Sequence, residues 1–266
     1  APSLRKLYNN NGHSSYFRKK SITKLFKDIG EVVRKYSPEF IYFTSECFLA
    51  IDENEFNRFI DAYGKIKIPF WIQTRPETIT YKRIARLKEV GLFWLTIGIE
   101  HGNEEYRRKY LKRNVTNNKI MEAVQMLERC GQGASLNNII GFPFETRSLI
   151  YDTVMLNRQL FRLNNRLRSN IFVFTPFRGC QLYELCVSEG LFTPVPYMSN
   201  TDLSVESLLK FNDLTHEELK GLYRTFPLYV YLPDDQFERI KLAEELTEKG
   251  NNEYDMLSRK IKDYLS

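Results

Sequence analysis

The sequence alternates short apolar runs with amphipathic segments of about 10–15 residues, and this alternation constrains the fold more than any other feature. The apolar runs predict strands at Phe40–Phe43, Phe70–Thr74, Trp94–Ile99, Ser135–Ile140 and Asn170–Thr175. Strands that alternate with helices are typical of βαβ units in a parallel sheet. The sequence therefore predicts an α/β fold, a partial parallel (β/α) barrel with about five of six βα units.

The strand pattern ceases after about residue 193, and the remainder is predicted to be helical. Helices are expected to begin near Thr215 and near Asp234, after a loop that contains proline. We predict a partial barrel over residues 1–193 and a C-terminal helical extension over residues 194–266. Because the first predicted element is a helix, one strand before residue 1 would complete a six-unit arrangement.

Polar residues follow the predicted strands, where the functional side chains of parallel barrels gather. Glu100 could accept hydrogen bonds from sugar hydroxyls or an amine, and Arg113 could bind a carboxylate at two points. Gly141 would let the backbone approach a planar group closely. Glu100 and Arg113 fit a structural ion pair equally well, and Gly141 fits a simple turn, so spacing alone leaves both interpretations open.

Several motifs occur in order along the chain and carry a family resemblance. They are Thr74–Glu77, Ile97–Glu104, Tyr110–Arg113, Asn138–Thr146, and Thr175–Gly179 with Leu182 and Tyr183. With these motifs at these separations, the sequence resembles the radical S-adenosylmethionine (SAM) superfamily. Within it, the sequence resembles most the branch whose members often carry an N-terminal cobalamin-binding domain. The likeness covers about residues 16–190 and extends into the tail at Leu219–Pro233.

The resemblance implies roles in SAM binding for residues near the strand ends. Ser45 and Glu46 stand where the family places polar groups near the methionyl amine. Glu100 matches the residue that contacts the ribose, and Arg113 matches the basic residue that meets the methionyl carboxylate.

Further matches surround the nucleoside. Asn138, together with Asn137, matches a polar strand residue near the ribose. Gly141 and Pro143 border the adenine pocket in the family, as does the backbone around Thr175. No metal ligand is assigned within this chain.

The sequence departs from the family at the motif that binds the [4Fe–4S] cluster. The expected C-x₃-C-x₂-C is absent, and the four cysteines cannot replace it; they are Cys47, Cys130, Cys180 and Cys186. The stretch Phe177–Cys180 also replaces the family's Pro-Gly-Thr. The motif belongs just before residue 1, so we expect a fragment that is inactive alone, rather than a naturally degenerate relative.

Two classes of function follow from this resemblance. The first is the barrel of a radical enzyme that uses SAM, a [4Fe–4S] cluster and cobalamin from an upstream domain, and acts on a small molecule that the sequence does not identify. Its reaction would be reductive cleavage of SAM to a 5′-deoxyadenosyl radical, or radical-based methyl transfer. The second is a degenerate barrel that binds a nucleotide-like ligand or serves as a scaffold. A phosphate-binding barrel is disfavoured, because no Gly-rich loop opens a helix near the last strands.

Charge, hydropathy and cysteine content bear on nucleic-acid binding, membrane insertion and cellular location. The net charge is +6, and residues 1–35 carry +7 of it, from nine Lys/Arg against Asp28 and Glu31. Such an arm can attract nucleic acid, but no nucleic-acid motif accompanies it, which favours a solvated helix face. No apolar run reaches the roughly 20 residues that a membrane span needs. Few cysteines in a chain of this length favour a reducing compartment, and we predict a cytoplasmic location.

Overall fold

The computed structural model describes residues 19–194 and 207–265, with side chains up to residue 262. Five parallel strands form one open sheet in sequential order, which confirms the predicted fold class. The strands are β1 (Ile41–Tyr42), β2 (Phe70–Thr74), β3 (Leu92–Glu100), β4 (Ala134–Ile140) and β5 (Leu167–Val173). Sequential parallel order follows from the sequence pattern, since each strand is connected to the next through helical chain.

Helices precede, connect and follow the strands. They are α1 (Ile22–Tyr36), α2 (Glu53–Tyr63), α3 (Tyr81–Glu89), α4 (Glu104–Lys109), α5 (Asn117–Arg129), α6 (Arg147–Leu163), α7 (Gln181–Ser188), α8 (His216–Tyr231), α9 (Phe237–Ala243) and α10 (Glu248–Leu265). Short 3₁₀ turns occur at Pro76–Thr78 and Asp234–Gln236. From α8 onward the described chain is helical, in agreement with the predicted extension.

Polar caps explain where several helices begin. The Ser21 hydroxyl accepts the backbone N–H of Lys24 at 3.2 Å and starts α1. Thr215 and Glu218 form a reciprocal capping box at the start of α8. Each cap satisfies backbone N–H groups that have no partner within the helix, an effect worth about 1 kcal/mol.

The described residues divide into two compact units. The first contains the residues up to Gly98 together with Asn118–Ser135, and the second contains Ile99–Asn117 together with the residues from Leu136 onward. Aromatic side chains build much of the core of the first unit. Tyr63 stacks on Phe59 with ring centroids 5.3 Å apart.

The second unit has an aliphatic and aromatic core between the ends of its strands and the C-terminal helices. This core includes Ile140, Val154, Val173, Leu219 and Phe226, all nearly inaccessible to solvent.

Some element boundaries differ from the predictions. β5 begins three residues before the predicted strand Asn170–Thr175 and ends two residues before its end. Its first and last residues, Leu167 and Val173, are both buried. Two short helices, α4 and α7, occupy stretches that carry no clear periodicity in the sequence.

The division into a barrel over residues 1–193 and an extension over residues 194–266 stays a prediction. Part of the basic arm, residues 1–18, and the segment 195–206 after the predicted boundary lie outside the described residues. Among the helices that are described, none is long and apolar enough to cross a membrane.

Candidate functional site

The loop that follows β3 brings Glu100 and Arg113 together. Glu100 is the last residue of β3 and has a φ of 68°, a left-handed conformation that non-glycine residues rarely adopt. Arg113 follows α4, and its Nη1 donates a hydrogen bond to Glu100 Oε1 at 2.9 Å. Strained backbone of this kind concentrates at functional sites, where the surrounding structure holds it in place.

The opposite edge of the Arg113 guanidinium makes no hydrogen bond. Its Nε and Nη2 are buried and have no hydrogen-bond partner among the residues that the structure describes. These two N–H groups lie side by side and match the two oxygens of a carboxylate. A buried donor without a partner costs about 1–3 kcal/mol, so the edge is suited to an acceptor from outside. Arg113 can therefore hold Glu100 and a ligand carboxylate at the same time.

Arg107 supports this loop from inside. The side chain is fully buried, and it donates to the backbone oxygens of His101 and Val115 and to the Asn117 amide oxygen. Burial lowers the pKa of the Arg107 guanidinium to about 10, so the group is still charged at neutral pH. The Arg107 backbone oxygen also accepts the N–H of Arg113 at 3.1 Å. Arg107 thus fixes both ends of the chain segment between Glu100 and Arg113, through its guanidinium at His101 and through its backbone oxygen at Arg113.

The loop that follows β4 is shaped by Gly141 and Glu145. Gly141 has a φ of 77°, and a Cβ at this position would come within 2.9 Å of the Leu219 side chain of α8. One Glu145 oxygen accepts the backbone N–H groups of both Gly141 and Phe142. Pro143 is buried, and its backbone oxygen accepts the Tyr106 hydroxyl at 2.5 Å. The space beside Gly141 is filled by Leu219 of the same unit.

Asn138 and its neighbour Asn137 project from opposite faces of β4, as alternation along a strand requires. Asn138 is fully buried, and its amide exchanges hydrogen bonds with that of Asn157 on α6 at 2.7 and 3.0 Å. Asn137 is half-buried, and its oxygen accepts the Asn170 amide at 3.1 Å. The more accessible of the two amides therefore belongs to Asn137.

The remaining predicted site residues lie on loops. Ser45 and Glu46 are exposed and follow β1 in the first compact unit. Thr175 is half-buried in the second unit and lies beyond the end of β5.

Comparison with known proteins identifies the family. A model of the radical SAM superfamily matches residues 9–156, more than half of the chain. The chain belongs to the radical SAM superfamily.

Relatives and solved structures agree with that membership. An uncharacterised methyltransferase of Pyrococcus horikoshii, PH0819, is 23% identical over 221 residues, which cover 81% of this chain and 46% of the relative. The structure of the cobalamin-dependent radical SAM enzyme OxsB, with aqua-cobalamin and SAM bound, has a TM-score of 0.58 at 12% identity and covers 92% of this chain and 42% of its own.

A second solved structure has a similar fold. It is the radical SAM methyltransferase TsrM from Kitasatospora setae, with cobalamin and a [4Fe–4S] cluster bound, at a TM-score of 0.53 and 11% identity. The match covers 92% of this chain and 56% of TsrM. The chain thus spans about half the length of the relatives that it matches, and these structural likenesses concern the fold.

The radical SAM family implies a [4Fe–4S] cluster, but the cysteines of this chain do not fit one. All four are free: Cys47 and Cys130 are partly buried, Cys180 is exposed and Cys186 is buried. Within the described ranges, which include every cysteine, no group of three His, Cys, Asp or Glu side chains is placed to hold a metal. A cluster of this type is held by cysteine thiolates, so these residues supply no such site.

Sequence reasoning missed His101, Arg107 and Glu145. Glu145 had a readable signal, because a carboxylate four residues after a strand-end glycine can turn back to bind that glycine's N–H. His101 and Arg107 had none, since their partners become neighbours only after folding.

Proposed function

We propose that this chain is the SAM-binding barrel portion of a radical SAM enzyme. The observation that carries the proposal is the buried, unpaired edge of Arg113, which lies beside Glu100 in a member of this superfamily. SAM has a carboxylate that can pair with that edge, because a guanidinium can bind a carboxylate through two parallel hydrogen bonds.

The proposed contacts begin at the loop after β3. Arg113 binds the methionyl carboxylate through Nε and Nη2, while Nη1 stays on Glu100. The Glu100 carboxylate accepts from the ribose hydroxyls. Ser45 and Glu46, which are exposed, are proposed for the methionyl amine.

The nucleoside half involves β4 and the loops beside it. Asn138 stays assigned to the ribose side in a supporting role, through the buried amide pair with Asn157. The half-buried Asn137 is the more accessible contact. Gly141, Pro143 and the backbone at Thr175 are proposed to border adenine.

For the whole protein we propose reductive cleavage of SAM to a 5′-deoxyadenosyl radical, or radical-based methyl transfer. Similarity to the Pyrococcus methyltransferase supports methyl transfer, and the cobalamin bound in the OxsB and TsrM structures supports cobalamin as a cofactor. The proposal needs cluster thiolates from beyond the four cysteines of this chain. The substrate is a small molecule, cobalamin is proposed to come from a further domain, and the proposed location is the cytoplasm.

The test is the substitution Arg113→Ala, with SAM affinity and the ligand-free melting temperature measured together. A shielded charge-assisted pair is worth roughly 1.5–3 kcal/mol, so affinity should fall by about 10- to 150-fold. Glu100→Gln keeps an acceptor and should cost less than Glu100→Ala. Arg108→Ala is the matched control, because Arg108 is exposed on α4 and should leave affinity unchanged. A lower melting temperature with unchanged affinity would mean that Glu100 and Arg113 form only a structural ion pair.

The second candidate is a degenerate barrel that binds a nucleotide-like ligand, and the cysteine pattern favours it. Anaerobic reconstitution with iron and sulfide tests the assignment of the cysteines, and SAM binding tests the scaffold interpretation. These 266 residues alone should assemble no stoichiometric, oxygen-sensitive [4Fe–4S] cluster. Recovery of such a cluster would overturn the ligand assignment, and SAM binding that depends on Arg113 would exclude the scaffold interpretation.

A further inference from the structure

Two titratable side chains, His101 and Glu145, are completely buried against each other in the second unit. Both have no exposed surface, and His101 Nε2 lies 2.9 Å from Glu145 Oε1. The approach is off the line of a hydrogen bond, and neither atom has another partner among the described residues. Burying two such groups costs free energy unless hydrogen bonds or ion pairs compensate for it. Neither side chain takes part in the SAM contacts proposed above.

Hydrogen bonds fix the orientation of both side chains. His101 Nδ1 accepts the backbone N–H of Asn103 at 3.0 Å, which leaves the ring proton on Nε2, facing the carboxylate. The other Glu145 oxygen accepts the N–H groups of Gly141 and Phe142. The pair therefore joins the residue directly after Glu100 to the loop after β4.

Tyr106 makes a second link between the same two loops. Its ring stacks on His101 with centroids 4.3 Å apart and planes inclined by 21°. Its hydroxyl donates to the Pro143 backbone oxygen at 2.5 Å. Burial raises the pKa of the Tyr106 hydroxyl far above its usual value, with the nearby Glu145 charge adding to the effect, so the hydroxyl remains a donor. Phe142 fills the space between, about 6 Å from both rings.

We propose that His101, Tyr106 and Glu145 form a clasp that sets the distance between the two loops of the SAM site. The inference rests on the proposed function. One loop carries Glu100 and Arg113 and would bind the methionyl half, and the other carries Gly141 and Pro143 and would bind adenine. A ligand that spans both loops depends on their spacing, whereas a ligand that occupies one loop does not. The three residues act through the loops and are positioning residues.

The experiment uses Tyr106→Phe, which keeps the stacked ring and removes only the donor to Pro143. Calorimetry measures the affinity for SAM, for 5′-deoxyadenosine and for methionine. SAM affinity should fall by about three- to tenfold, the usual effect of one buried hydrogen bond, and each half-ligand should lose less than about twofold. Tyr110→Phe is the matched control. The Tyr110 ring packs on Tyr106, and its hydroxyl makes no hydrogen bond within the described part of the chain.

Two outcomes of this experiment would overturn the clasp. In the first, Tyr106→Phe lowers the melting temperature and leaves SAM affinity unchanged, which is a purely structural role. In the second, 5′-deoxyadenosine loses as much affinity as SAM, which would mean that Tyr106 shapes the adenine loop alone.

A second measurement does not depend on SAM. In Glu145→Gln an amide replaces the carboxylate, and an amide N–H can come to face His101 Nε2–H. Amide hydrogen exchange at Gly141 and Phe142 should then become about tenfold faster, and His101→Leu should act in the same direction. If the wild-type protein binds no SAM, the proposed function fails, while faster exchange would still support the link between the loops. Unchanged exchange in both variants would overturn the clasp whatever the protein binds.

Discussion

The two edge strands of the sheet, β1 and β5, differ in length and in what covers them. β1 is only two residues long, and both Tyr42, its last residue, and Phe40 just before it are exposed. β5 is seven residues long, and α8 packs beside it, where the Tyr231 hydroxyl accepts the Ser169 N–H at 2.6 Å. An edge strand is protected when a helix covers it. The chain supplies that cover for β5 through its own C-terminal helices.

Arg158 is the main polar anchor at the β5 side. Its guanidinium is buried and donates to two backbone oxygens at the C-terminal end of α8, those of Tyr229 and of the capping residue Leu232, the latter at 2.6 Å. It also contacts Asp234 and lies 4.9 Å from the centre of the Phe237 ring. A cation at a helix C-terminus binds carbonyls that lack partners within the helix.

The β1 side presents aromatic rings instead. Phe40 meets Phe93 with centroids 5.7 Å apart, and Tyr42 meets Trp71 at 5.8 Å. Trp71 Nε1 donates to Thr96 at 2.8 Å, so the indole N–H is satisfied within the first unit. A βα repeat thus forms its strands from the local sequence pattern, while the stability of an edge strand depends on what covers it.

The largest expected effect is on thiol reactivity. Cys186 is fully buried on α7, and burial raises the pKa of its thiol to about 11. At pH 8 its thiolate fraction should be roughly 200-fold below that of a free thiol with a pKa of about 8.5. Labelling with a maleimide and mass spectrometry should find Cys180 and Cys47 modified long before Cys186, whose rate should rise as pH approaches 11. Rapid labelling of Cys186 at pH 8 would mean that the apolar cluster around Tyr183 and Leu191 opens.

The next effect is on stability. Arg158→Ala leaves two buried carbonyl oxygens without their donor, so the free energy of unfolding should fall by about 3 kcal/mol. Arg162→Ala, one turn later on α6, is the control: Arg162 is exposed and lies 3.8 Å from the same Asp234. It should change stability by less than about 0.5 kcal/mol. Equal effects in urea denaturation would contradict the anchoring role of Arg158.

Parts of this architecture could be predicted from the sequence, and the parts that could not have physical causes. The strand order follows from the alternation of strands and helices, but the bounds of β5 do not. Leu167 stands among polar residues, and the apolar run Ile171–Phe174 dominates the pattern. Strand alternation would have placed Asn138 on the same face as Leu136 and Ile140, both buried. Its partner Asn157 lies on another element and leaves no local signal.

The candidate site was predictable only in part. Glu100 and Arg113 were identified through motif resemblance, and the structure brings them to 2.9 Å. The contact between His101 and Glu145 joins two loops that are far apart in sequence, so no periodicity can indicate it.

A smaller loss is expected where α8 and α9 approach. A Cβ on Gly221 would lie 2.6 Å from the Glu244 backbone oxygen, too close for either helix to stay in place. Overpacking of this kind costs about 1–3 kcal/mol, and the better helix propensity of alanine offsets part of it. Gly221→Ala should therefore lower the free energy of unfolding by about 1–2 kcal/mol in thermal or urea denaturation. A neutral result would mean that the C-terminal helices are packed loosely against each other.

The smallest effect has the opposite sign and lies near the other edge. Gly30 is in the middle of α1, and nothing lies within 4 Å of the position that a Cβ would take. Alanine in an open helical position avoids the entropic cost of glycine, which is about 0.5–1 kcal/mol. Gly30→Ala should raise the free energy of unfolding by that amount, while the same substitution at Gly221 lowers it. If Gly30→Ala destabilises the protein in urea denaturation, that helix face is covered, and the contrast between the two edges disappears.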